Sequence, residues 1–100
     1  MSSSYQALSI PPAANTQGGV EVLRCAVIDG ELHLTLRPAF SEPNGWGQLF
    51  AEVARQVARA YAHERRFTEP ETLARISSAF EANMRQPPEA TSTISPLGKS

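Results

Sequence analysis

The chain has 100 residues, nine basic and ten acidic side chains, and a formal net charge of −1 at pH 7. That length allows one small domain, and the near-neutral charge argues against a dedicated polyanion binder, which carries a basic excess. The single cysteine, Cys25, excludes an intramolecular disulfide and a cysteine metal cluster; with no apolar run of transmembrane length and no basic leader before an apolar stretch, a cytoplasmic protein with no membrane contact is expected.

Residues 1–19 begin with serines and contain Pro11-Pro12 and Gly18-Gly19, a composition that predicts a mostly disordered N-terminal segment. Within it, Ala7-Leu8-Ser9-Ile10 is an extended apolar patch stopped by two prolines, suited to an edge segment beside a sheet.

From Val20 to Arg37 the sequence reads as a β-hairpin. Asp29-Gly30 is a two-residue turn that tolerates positive φ, placed between two strand-like runs. A two-residue loop sets Ile28 opposite Glu31, hence Val27 opposite Leu32, Cys25 opposite Leu34 and Leu23 opposite Leu36. These apolar side chains share one face, and the turn chemistry and the alternation specify that register independently. The other face holds Val20, Val22, Ala26 and Ile28 among Arg24, His33, Thr35 and Arg37. A half-apolar exposed sheet face fits a contact surface, and these eight residues form the candidate interaction face. Two guanidinium groups and an imidazole on it also suit a phosphate or carboxylate.

A connector, Ala39–Gly45, leads to a helix that Ser41 or Asn44 could cap. Trp46, Leu49, Phe50, Val53, Val57 and Tyr61 follow 3-4 spacing, which predicts an amphipathic helix about 30 Å long. Arg55, Arg59, His63 and Arg66 recur on its outer side. Such a stripe could follow a nucleic-acid backbone, but Glu52 and Glu64 dilute it and cations near a helix C-terminus need no ligand. Thr68-Glu69-Pro70-Glu71 is a capping box that starts a second helix. Leu73, Ile76, Phe80 and Met84 form its stripe, and Pro87-Pro88 end it. Residues 87–100 are polar and aperiodic and predict a disordered tail.

The pieces VEVLRCAVIDGELHLTLRP, GWGQLFAEVARQVARAY and ETLARISSAFEANMRQP resemble a short proteobacterial family known only as a domain of unknown function. The most specific markers are Val22-Leu23-Arg24, Leu32-His33 and Trp46-Gly47. The connector before Trp46 is shorter here than the family pattern. The resemblance implies a bacterial source and a domain running from about Ala7 to the tail; it implies no site residues.

The expected fold is α+β, an antiparallel hairpin followed by two helices (β-β-α-α), with residues 20–86 as the single domain and an N-terminal edge segment as an addition. The two helices should cover the Leu23/Cys25/Val27 and Leu32/Leu34/Leu36 face. Catalysis is not expected: Cys25 and His33 point to opposite faces, and there is no phosphate loop and no metal-ligand spacing. No cofactor is called for. The leading function is a protein-interaction module that self-associates as a homodimer and binds an unknown protein partner. The alternatives are a nucleic-acid-associated regulator, and a small-anion binder or accessory enzyme subunit.

Overall fold

The computed structural model describes residues 4–86 and 93–96. In chain order these form a single helical turn α1 (Ala14–Gln17), strands β1 (Leu23–Ile28) and β2 (Glu31–Leu36), helices α2 (Asn44–His63) and α3 (Glu69–Met84), and a strand β3 (Thr93–Pro96). An antiparallel hairpin followed by two long helices is the expected α+β arrangement.

The hairpin has the register that its turn and alternation dictate. Leu23 pairs with Leu36, Cys25 with Leu34, Val27 with Leu32 and Ile28 with Glu31. Asp29 and Gly30 both take positive φ, 53° and 79°, the geometry of the turn type whose twist matches a two-residue hairpin.

The expected tail departs from its sequence reading. Residues Thr93–Pro96 pair parallel with β2 in the register His33–Thr93 to Leu36–Pro96, giving a three-stranded sheet of order β1-β2-β3. The outer side of β2 is therefore occupied. Thr93-Ile94-Ser95-Pro96 holds a single large apolar residue and ends in proline, too short a pattern to signal a strand; pairing against an existing strand supplies what propensity does not. Pro96 fits because β3 lies at the sheet edge, where a missing N–H is tolerated.

Helix α2 begins at Asn44, after Pro43, and no side chain caps it. Neither Ser41 nor Asn44 takes the cap position. Phe40 folds over the helix start instead, its ring 5.1 Å from that of Trp46 in an edge-on contact. Trp46 in turn packs beside Phe50, with ring centroids 6.0 Å apart. Helix α2 ends with Arg65 at φ 60°. The Arg66 N–H donates to the Tyr61 carbonyl and that of Arg65 to Ala62, both at 3.0 Å, the paired bonds of a Schellman stop with arginine where glycine is usual. The Arg66 guanidinium lies 4.8 Å above the Tyr61 ring. Helix α3 starts as its capping signal requires: the Glu71 N–H donates to Thr68 Oγ1 at 3.2 Å.

Helices α2 and α3 pack on each other, and strands pack on strands, but neither helix packs on the sheet. No Cα of β1, β2 or β3 comes within 8 Å of a Cα of α2 or α3. The expected helical cover of the leucine face is thus absent within one chain. The connector explains it. Pro38 and Pro43 fix two backbone φ angles, and Phe40 is committed to Trp46 rather than to the sheet. Among the described residues only Ala58 on α2, 1% exposed, and Thr72 on α3, 3% exposed, are buried, one on each of the two helices that pack together. The large apolar residues expected to form a core stay half-buried or exposed, including Val27 at 74% and Leu32 at 42%.

Candidate interaction surface

β-strand alternation sends Arg24, Ala26 and Ile28 to one side of β1, and the register brings Thr35, His33 and Glu31 of β2 beside them. Val22 continues the face beyond the strand, with Arg37 opposite: the Arg37 N–H donates to the Val22 carbonyl at 2.9 Å. Val20 lies one step further and is exposed. Of the residues expected to form an interaction face, Arg24, Ala26, Ile28, His33 and Thr35 therefore share one side of the hairpin, and Val22 and Arg37 continue it. Val22, Arg24, Ala26, His33 and Thr35 are half-buried; Val20, Ile28 and Arg37 are exposed.

The charges on this face are mostly matched within the chain. Arg24 Nη2 donates to both carboxylate oxygens of Glu21, at 2.9 and 3.0 Å. The Tyr5 hydroxyl and the Glu21 carboxylate against it hold the Arg24 guanidinium above its ordinary pKa. Arg37 Nε donates to the Glu21 backbone carbonyl at 3.5 Å. His33 Nε2 stands 4.0 Å from Glu31 Oε1. With Arg24 neutralised by Glu21, the two-arginine anion pocket is not assembled. Sequence reasoning missed Tyr5 and the pairing of Glu21 with Arg24 within one chain, and it set Glu31 opposite Ile28 without counting it in the face. Glu31 was recoverable, because the register puts it opposite Ile28; Tyr5 was not, because nothing local ties residue 5 to residue 24.

The segment Ser4–Gly19 runs beside β1 and encloses with it an open groove of about 1340 Å³, lined by Tyr5, Leu8, Ile10, Val20 and the length of β1. Among the described residues no backbone hydrogen bond joins this segment to β1; it flanks the sheet without extending it.

The second face of the hairpin carries Leu23, Cys25, Val27, Leu32, Leu34 and Leu36 and no charged group. Leu23, Leu34 and Leu36 are half-buried, whereas Val27, Leu32 and Cys25 are exposed. Cys25 and His33 are on opposite sides of the sheet, as the register predicts.

On α2 and just beyond it, two of the four residues of the basic stripe, Arg55 and Arg66, are paired with acids. Arg55 contacts Glu52 at 2.9 Å and Arg66 contacts Glu64 at 3.2 Å. Hydrogen bonds from Gln56 and Arg55 hold the Glu52 carboxylate below its ordinary pKa. No continuous row of free cations faces solvent there. Gly47, paired with Trp46 in the sequence signal, has open space around it. Gly45 is the constrained glycine: a Cβ there would meet Phe40 Cγ at 2.7 Å. Among the described residues no helix is long and apolar enough to cross a membrane, and no cluster of three metal-ligating side chains occurs.

A hairpin, a Trp-bearing helix and a capped second helix define a small α+β domain. The family described as Domain of unknown function (DUF5076) matches residues 7–88, and the chain belongs to it. A solved structure described as "a putative pyruvate dehydrogenase from the photosynthetic bacterium Rhodopseudomonas palustrus" is similar, with 37% sequence identity and a TM-score of 0.74 over 90% of this chain and 93% of that one. Comparison with curated proteins finds no match.

Proposed function

We propose that this protein is a homodimeric interaction module, in which a second copy supplies the apolar core that one chain lacks and the Val20/Val22/Arg24/Ala26/Ile28/His33/Thr35/Arg37 face binds another protein. The observation that carries the reading is the near-absence of burial. A 10.8 kDa chain exposes 8619 Å², where a compact monomer of that mass exposes about 5,500 Å². Part of the excess belongs to the extended Ser4–Gly19 segment. Apolar side chains at strand and helix positions, which the sequence patterns for burial, also stand in water, among them Val27, Phe50, Val53 and Phe80. The elements are well formed and their apolar faces are regular, which is the pattern of a protomer rather than of a loosely folded chain.

Analytical ultracentrifugation across micromolar concentrations tests this. A dimer is expected, with a melting temperature that rises with protein concentration. A monomer with a concentration-independent melting temperature refutes the reading. The name of the R. palustrus neighbour suggests a second reading, an enzyme or an enzyme's accessory subunit acting in pyruvate oxidation. It rests on that name alone, because the one thiol and the strand histidine lie on opposite faces. Pyruvate-dependent reduction of an electron acceptor by the purified protein would favour it.

A further inference from the structure

We propose that the dimer forms by reciprocal exchange of cover: the leucine face of each hairpin packs on the Trp46–Phe50–Val53–Val57 stripe of α2 in a second copy of the chain. The inference rests on the self-association reading above and adds which surfaces meet.

Each surface leaves large apolar members in water in the same chain. On the hairpin, Val27 and Leu32 are exposed; on α2, Phe50 is 44% and Val53 49% exposed. At 100° per residue the α2 stripe lies roughly a quarter-turn or more around the helix from Ala58, the α2 residue that is buried. Packing with α3 therefore does not use the stripe up. It also lies opposite the polar side that carries Glu52, Arg55, Gln56 and Arg59.

The two surfaces agree in size and chemistry. From Trp46 to Val57 the stripe runs about 17 Å along the helix, and Leu23 to Val27 runs about 14 Å along the strand. Neither surface bears a charge, so their contact strands no ion. β1 and β2 are paired along their length, and the proposed contact is made by side chains on the sheet face and the helix stripe.

Closure selects this arrangement over its rivals. Two hairpin faces packed on each other would leave both α2 stripes in water, and two helix stripes packed together would leave both hairpin faces in water. Covering both by like-to-like contacts would need further copies and would propagate. Hairpin on helix, repeated by a two-fold axis, covers all four surfaces in one closed pair. The short connector Arg37–Pro43 keeps the hairpin off its own α2, so a second copy takes that place.

Cys25, the single cysteine, lies mid-face on the hairpin and reports the geometry directly. In Val53→Cys, oxidation or a short bismaleimide should join Cys25 to position 53 between chains, giving a covalent dimer on a non-reducing gel and a mixed 25/53 peptide by mass spectrometry. Phe50→Cys, one helical turn away on the same stripe, repeats the test with different side-chain geometry. Wild-type protein should give little Cys25–Cys25 product. A dimer by ultracentrifugation that links neither position 50 nor position 53 to Cys25 overturns the arrangement and leaves self-association standing. So does a dimer linked Cys25 to Cys25, or a 25/53 link confined to one chain. A monomeric wild-type protein overturns both proposals.

Discussion

Two residues show how narrowly local geometry is set. Gly45 sits where a Cβ would fall 2.7 Å from Phe40 Cγ and 2.9 Å from its Cβ, atoms at the rigid base of the side chain that cannot swing aside. Gly45→Ala should therefore displace Phe40 from Trp46 and cost about 1–3 kcal/mol despite the better helix propensity of alanine; thermal denaturation with Trp46 fluorescence measures both effects. Thr72 presents the opposite case. Its hydroxyl is buried and finds no hydrogen-bond partner among the described residues. Thr72→Val keeps the branched shape and removes the orphaned oxygen. It should stabilise by roughly 1 kcal/mol, read from the urea midpoint at unchanged slope. A lower midpoint would mean that the hydroxyl has a partner in the native assembly.

At the scale of elements, capping and edge pairing make separable predictions. The Thr68 cap satisfies one N–H at the start of α3, so Thr68→Ala should cost about 1 kcal/mol and leave the oligomeric state unchanged. Strand β3 makes a prediction that the sequence alone would not. Deleting residues 89–100 removes the partner of His33–Leu36 and reopens a sheet edge. Faster amide exchange in β2 is expected, with exchange in α2 and α3 unaltered. Unchanged protection in β2 would show that β3 contributes nothing to the sheet in solution. The hairpin itself was legible in full, because both determinants of register lie within a few residues of each other: the Asp29-Gly30 turn and the alternation on either side. The capping box was legible for the same reason. The α2 start was not, since its first N–H groups donate to the Glu42 and Pro43 carbonyls of the preceding turn rather than to the side-chain cap that Ser41 or Asn44 offered.

For the whole molecule, the balance of apolar and ionic contacts predicts its response to salt. The ion pairs within the described residues, such as Arg24–Glu21 and Arg55–Glu52, lie at the surface within single elements or beside them, where such pairs contribute little and are screened. The proposed dimer contact is apolar. Raising sodium chloride to about 1 M, where the screening length falls to about 3 Å, should leave the dimer intact or tighten it. Dissociation on adding salt would transfer the interface to the Arg24/Arg37 face, with cross-chain pairs to Glu21 or Glu31.

The candidate surface divides along the same line as the fold. That Arg24, Ala26, Ile28, His33 and Thr35 share one side of the hairpin follows from strand period and register, so that grouping could be read directly. That Glu21 and Tyr5 occupy Arg24 could not, because this depends on where a segment without local structure comes to rest. By itself the sequence determined the hairpin and its pairing, the two helices with their apolar stripes, and the family, all consequences of interactions between near neighbours along the chain. A stripe with 3-4 spacing states that a face must be buried; it does not state against what, because the free energy of removing apolar area from water is the same whichever chain covers it. Tertiary structure alone decided that the helices stand off their own sheet and that residues 93–96 take the outer side of β2. Both depend on the path of the whole backbone, through a proline-bounded connector and across two helices, and no local pattern encodes that path.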